Sequence, residues 1–294
     1  MIDVVAVTEP RFVLAEGPVW DATRRLVLWV DIPEGLVLVG RIDGDSLTID
    51  TEHHVDGFAG AVATSVDGSL LVAETRALTV IGPDGARHTE PVSQVGPDDR
   101  LNDGTCDAAG RFLVGTLSLT GDHDGQRLLQ VDAGASTVLD DDLGLANGLA
   151  FSPDDSILYS VDSVPGRVWA RPYDQATGAT GTRTLLIDLP DATPDGLAVD
   201  EHGRLWIAIW SHGEVRCYSP DGALVDTIVV PALHTSSVAF VGDDLDLLLI
   251  TSARTELTPD QLAEHPLSGS LFLARPGCRG TPVHRWSGHL SPAP

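Results

Sequence analysis

Glu16, Asp103, Asn147 and Asp195 each stand immediately before a glycine, and each of those glycines opens a short apolar segment. With Ala59-Gly60 and Ser236-Ser237 they make six junctions, whose second residues lie 41 to 48 positions apart. If a repeat of this period closes into a ring, equivalent positions face one axis, and the four polar residues converge there. Carboxylates and an amide gathered in one enclosed space repel one another unless a cation lies among them. Oxygen donors alone form a hard site that suits Ca²⁺, Mg²⁺ or Mn²⁺. Zn²⁺ can use carboxylates, but no His or Cys shares the phase of these junctions. Three or four protein donors would leave coordination positions for water or substrate, the mark of a catalytic ion. Arg100 and Asn102 directly precede the third junction and are candidates to hydrogen-bond a polar substrate above the ion.

The elements that must position these residues are short strands. Each unit reads as an apolar strand, a tight turn and a second apolar strand, as in 61–66, Asp67-Gly68 and 70–73, or 197–199, a Gly203 turn and 205–209. Further strands follow at 77–81, 126–131, 166–171 and 213–218, some closed by Pro-Asp-Gly turns. Four antiparallel strands per unit and six units predict an all-β, six-bladed β-propeller with a central metal-binding channel, residues 1–294 forming one domain. A strand near 4–7 is expected to complete the last blade and so remove an exposed sheet edge. The one helical patch is 259–264. Asp67-Gly68 and Asp84-Gly85, with strands on both sides, are hairpin turns. Asp103, Asn147 and Asp195 differ, because loop residues (97–102, 140–146 and 190–194) lead into them.

The 294 residues carry a net charge of −25, which repels nucleic acid and anionic membrane surfaces. All 18 basic residues are Arg, so no Lys amine exists for a Schiff base. Cys106, Cys217 and Cys278 match neither a disulfide framework nor a CxxC metal motif; free thiols fit a reducing, cytoplasmic setting. The N-terminus lacks the basic region of a signal peptide, and no apolar run reaches the length of a membrane span. Ser118 and Ser211 have no His and Asp at triad spacing. His234, close before Ser236, is a candidate to overhang the channel. The Gly121–Gly125 loop resembles a fragment of a calcium loop but lacks the spaced ligands and closing Glu, and reads as a solvated turn.

Taken together, Leu14-Ala15-Glu16-Gly17-Pro18, Arg100-Leu101-Asn102-Asp103-Gly104, Ala146-Asn147-Gly148-Leu149, Pro194-Asp195-Gly196 and Thr251-Ser252-Ala253-Arg254 resemble the regucalcin, gluconolactonase and luciferin-regenerating enzyme family over almost the whole chain. The resemblance implies a six-bladed propeller with one divalent cation, Ca²⁺ first and Zn²⁺, Mg²⁺ or Mn²⁺ as alternatives. It implies that Glu16, Asn147 and Asp195 bind the metal, that Arg100 and Asn102 contact substrate, and that Asp195 doubles as general base. Asp103 is then not a direct ligand and stands behind the residues that bind the metal. Sugar-lactone members carry a Glu after the Gly-Thr motif of the third blade; Thr120 stands there in this chain.

The leading functional expectation is a metal-dependent lactonase that opens a small sugar acid lactone. Hydrolysis of another ester or a phosphotriester on the same metal, and a non-enzymatic, metal-stabilised scaffold, are the alternatives. The expected partner is a small-molecule lactone, with no nucleic acid and no membrane, and the protein is a monomer or small homo-oligomer.

Overall fold

The computed structural model describes residues 2–121 and 123–290; Asp122 of the Gly121–Gly125 loop lies outside them. The described chain folds into six four-stranded antiparallel sheets. Five are built from four consecutive strands, the first blade from Ala15–Asp21, Leu26–Asp31, Leu36–Asp43 and Ser46–His54. The sixth combines His234–Val241, Leu247–Ala253 and Phe272–Ala274 with the N-terminal strand Val4–Ala6, in the register Val4↔Ala274, Val5↔Leu273 and Ala6↔Phe272. The ring is thereby closed by the chain's own beginning, as the sequence predicts, and Phe272–Ala274 is not left as a bare outer edge of the last blade.

Burial follows strand position. Second strands such as Leu26–Asp31 and Leu205–Trp210 lie between neighbouring blades, so both faces are covered and the sequence reads as an unbroken apolar run. Outermost strands such as Ser46–His54 alternate between exposed and half-buried residues. The core is divided into six apolar layers, each shared by adjacent blades: Leu28 and Val30 meet Val62 and Val72, and Leu71 meets Val114. Each such fully buried side chain contributes roughly 1.5–3 kcal/mol.

The innermost strands, Ala15–Asp21, Ala61–Thr64, Asp99–Cys106, Ala146–Phe151, Thr193–Val199 and His234–Val241, pack against one another around the axis. Several boundaries differ from the sequence reading. Of 140–146, read as loop, only Gly144 and Leu145 lie outside strands, and 190–194 is strand from Thr193. The strand expected at 61–66 stops at Thr64. The segment 97–102, read as loop, is strand from Asp99 onward, because Asp99, Arg100 and Leu101 pair with Ser118, Leu117 and Thr116. The helix Pro259–Glu264 forms where expected, started by a reciprocal Thr258–Gln261 capping box.

One feature carries no periodic signal. After the last strand, residues 279–287 cross one face of the ring. Thr281 donates to the Val199 carbonyl, His284 pairs with Asp155, Ser287 bonds Gly110, Trp286 bonds Thr64, and Arg285 reaches Asp21. With the Gly280 amide on the Leu245 carbonyl, all six blades are tied by this strap, and Trp286, 4% exposed, enters the core between the second and third.

Candidate metal and substrate site

The innermost strands break register at the junctions. Pairing with the second strand is interrupted between Glu16 and Val19, Leu101 and Gly104, Asn147 and Leu149, Pro194 and Leu197, and Thr235 and Val238. Such bulges kink a strand and re-aim a side chain. The small residue at each kink also lets neighbouring strands close on the axis. A Cβ on Gly148 would lie 2.4 Å from the Asp195 carbonyl, and one on Gly196 would lie 2.0 Å from Ser237 Oγ.

Two carboxylates hold the approaches to these kinks. Asp31 accepts the backbone N–H groups of Leu14 at 2.9 Å and Val13 at 3.1 Å. Asp162 accepts those of Gly144 at 3.0 Å and Leu145 at 3.1 Å. Each fixes the chain two residues before a polar junction residue, Glu16 or Asn147. Burial pushes the carboxyls of Asp31 and Asp162 above the usual range, while these amide bonds oppose the rise.

Glu16, Asn147, Asp195, Arg100 and Asn102 come together in one cavity of about 250 Å³ at the N-terminal ends of the innermost strands. All five are buried, at 5–8% exposure. Arg100 Nη1 donates to Asn102 Oδ1 at 2.7 Å and to the Leu101 carbonyl at 3.0 Å. Asn102 Nδ2 donates to the Ala146 carbonyl at 3.0 Å and to Asn147 Oδ1 at 3.3 Å. Asn147 Nδ2 donates to Ser163 Oγ at 3.2 Å. The amide of Asn147 is thus oriented from both ends. The Arg100 guanidinium also lies over the Phe58 ring, 5.5 Å from its centroid.

Burial pushes the Glu16 carboxyl up to about 8, and the nearby Asp103 adds to the rise. Asp195 is raised well above the carboxylate range by burial, then by Glu16 and Asp103. Arg100 is lowered to about 10 by burial, against the pull of Glu16 and Asp195. Asp195 Oδ1 is buried and receives no hydrogen bond from the described residues. An orphaned carboxylate oxygen, a second raised carboxyl and an amide oxygen held by its neighbours could serve as oxygen donors, and their chemistry fits a hard divalent cation.

Asp103 shares the phase but not the cavity. It lines a second space of about 330 Å³ at the opposite ends of the innermost strands, roofed by residues 281–284 of the strap. Its carboxyl accepts the Gly104 N–H at 2.7 Å and is raised to about 6 by burial. Thr120 is exposed, bonds Ser118 Oγ at 3.1 Å, and does not line the first cavity; Leu117 does. His234 does not overhang the cavity. It is buried behind Trp210, a wall residue, with ring centroids 4.1 Å apart and planes 4° from parallel. Its Nδ1 bonds Ser211 Oγ at 3.2 Å, and neither residue lines the cavity. The sequence reading missed Ser163, Trp210, Asp31 and Asp162. The aspartates had a signal: each closes a second strand at the same place in its blade, in Val30-Asp31 and Val161-Asp162.

The fold and this buried polar cluster define a six-bladed β-propeller with a ligand-sized cavity at one mouth. The chain belongs to the SMP-30/gluconolactonase/LRE-like family, whose family model matches residues 14–254. It is 34% identical to a 6-deoxy-6-sulfogluconolactonase of Pseudomonas putida, covering 90% of this chain and 93% of that protein. It is 35% identical to a pentonolactonase of Haloferax volcanii, over 82% of this chain and 81% of the other. Among solved structures, the calcium-binding protein regucalcin of Agrobacterium tumefaciens superposes with a TM-score of 0.88 at 27% identity, covering 97% of both chains. Relatives bearing lactonase names support a lactone hydrolase activity for this chain. No helix among the described residues is long and apolar enough to cross a membrane.

Proposed function

We propose that this protein is a divalent-metal-dependent lactonase that hydrolyses a sugar acid lactone to the open-chain acid. The observation that carries the reading is Asp195 Oδ1, buried and without a donor at the floor of a cavity it shares with Glu16 and Asn147. Those three residues would hold the cation. Bound there, the ion would supply Lewis-acid polarisation of a carbonyl and charge stabilisation of the oxyanion. Ca²⁺ is the first choice for such an oxygen donor set, with Mg²⁺, Mn²⁺ and Zn²⁺ as alternatives.

This chain's own residues supply the rest. Asp195 accepts a proton from the attacking water as a new C–O bond forms at the lactone carbonyl. The ring C–O bond then breaks, and the ring oxygen takes up a proton as the hydroxyl of the open acid. Arg100 spends Nη1 on Leu101 and Asn102, which leaves its other N–H groups to bind substrate hydroxyls. Asn102 holds Asn147 in place and sits where it can meet the substrate. Asp103, outside the cavity, acts on Glu16 and Asp195 only through its charge. Ser163, the serine that lines the space, accepts from Asn147 Nδ2 rather than pairing with a histidine, and the water route needs no covalent intermediate.

Related propellers named for five-carbon and six-carbon sugar lactones support this substrate class. The test is turnover of gluconolactone and a pentonolactone by metal-stripped protein after single metals are added back. Preference for an acyclic ester or a phosphotriester would move the assignment to another hydrolase on the same site.

A further inference from the structure

Glu256 lines the mouth of the candidate substrate cavity from the turn between Leu247–Ala253 and the helix Pro259–Glu264. Its backbone is left-handed, with φ at 61°, a conformation that a residue with a side chain adopts at a cost. The turn is anchored on both sides. The Arg254 and Thr255 amides donate to the Val13 carbonyl at 3.0 and 2.9 Å, and the Leu257 amide closes back on the Arg254 carbonyl. The Thr258–Gln261 capping box fixes the helix that follows. Glycine would relax this position, so an acidic side chain kept there at a site wall is strain that invites a functional account.

The charges around Glu256 give that account. Arg100 is the one cation among the described residues lining the cavity. Its guanidinium is engaged by Asn102 and the Leu101 carbonyl and lies in the field of Glu16 and Asp195. The rest of the wall is apolar, as at Leu14, Ile32 and Trp210, or hydroxylic, as at Ser163 and Thr193. A sulfonate or carboxylate entering this mouth would meet the Glu256 carboxylate first, and the one basic group beyond it, Arg100, already faces Glu16 and Asp195. A neutral polyhydroxy lactone would instead donate its hydroxyls to Glu256.

We propose that Glu256 is a specificity-determining residue that restricts the cavity to lactones without an anionic substituent. The proposal rests on the lactonase reading of the same site. Substitutions Glu256→Gln and Glu256→Lys are tested with gluconolactone as the neutral probe and glucarolactone as the anionic one. Kd for the corresponding non-hydrolysable lactams is measured on the same metal-loaded protein.

In each variant the kcat/KM ratio of glucarolactone to gluconolactone should rise about tenfold, the scale of one like charge near a protein surface. The change should be carried by KM. In the unaltered protein the discrimination should shrink as salt is raised, because the mouth is open to solvent. An unaltered protein that prefers glucarolactone, or a ratio that neither variant moves in turnover or in lactam binding, overturns the proposal. Failure to hydrolyse either lactone with any metal would defeat the lactonase reading, while the lactam Kd ratio still decides the role of Glu256.

Discussion

Asp31 holds Leu14: its carboxylate takes the Leu14 N–H at 2.9 Å, two residues before Glu16. Asp162 holds Leu145 in the same way at 3.1 Å, two residues before Asn147. The two carboxylates neither line the cavity nor touch Glu16 or Asn147 directly, yet they set where the innermost strands of two blades begin. Residues that orient a ligand set from behind tune affinity for the ion. Asp31→Ala or Asp162→Ala should therefore weaken metal binding about 10- to 100-fold, while the Asn variants, which keep one acceptor, should lose less. Titration calorimetry on folded, metal-stripped protein reads both effects.

Arg100 separates binding of substrate from binding of metal. Losing its hydrogen bonds should raise KM for a polyhydroxy lactone about 10- to 100-fold in Arg100→Met, the range for bonds made by a charged donor. Metal affinity should hold or rise in the same variant, because a positive charge beside Glu16 and Asp195 has been removed. Steady-state kinetics with metal titration checks the pair of signs.

Without metal, the polar cluster makes stability fall as pH rises. Glu16 sits at about 8 in the fold against 4.5 for an unperturbed group. Between those values the folded chain holds the extra proton, so its contribution is complete below 4.5 and is lost as pH climbs through 8. Asp195, also raised, acts in the same direction. A saturating divalent cation should reverse the loss, so the rise in Tm on adding metal should be larger at pH 8 than at pH 6.

His234 acts with the opposite sign. Burial, then the nearby His265, lowers it to about 4 from 6.5. The unfolded chain takes up the proton first, so this contribution is complete above 6.5 and is lost as pH falls through 4. His234→Phe, which keeps a flat ring against Trp210, should flatten the acid limb of the thermal stability profile. An acid limb unchanged by the substitution would contradict this assignment.

The strap is a stability element of the ring. Trp286→Ala removes a buried indole from the layer between the second and third blades, and such truncations cost about 3–5 kcal/mol. Arg285→Ala, whose side chain is partly solvated, should cost much less. Chemical denaturation of both variants with metal bound gives the ordering.

What was legible in the sequence follows from periodicity. Glu16, Asn147 and Asp195 stand at one phase of a repeat, and a ring turns equal phase into proximity. Asp103 shares that phase yet lines the opposite cavity, because phase fixes the axis but not the end of it to which a side chain is aimed. The bulges that do the aiming leave little trace beyond the small residue at each junction. Ser163 follows a second strand and Trp210 ends one, where no repeat signal distinguishes a wall residue from a turn. The strap is illegible for a related reason: residues 279–287 meet six blades through scattered contacts, so they show neither alternation nor a run. Arg100 and Asn102 were read as loop, and their side chains nonetheless reach the site, since the strand they belong to begins at Asp99.

The most direct test of the central claim is lactone hydrolysis by metal-stripped protein with Ca²⁺, Mg²⁺, Mn²⁺ and Zn²⁺ returned one at a time, in the unaltered chain and in Asp195→Ala. The account predicts activity restored by a divalent ion in the unaltered chain, and loss of both tight metal binding and turnover in folded Asp195→Ala. Normal turnover by Asp195→Ala, or equal turnover with and without metal, would contradict it.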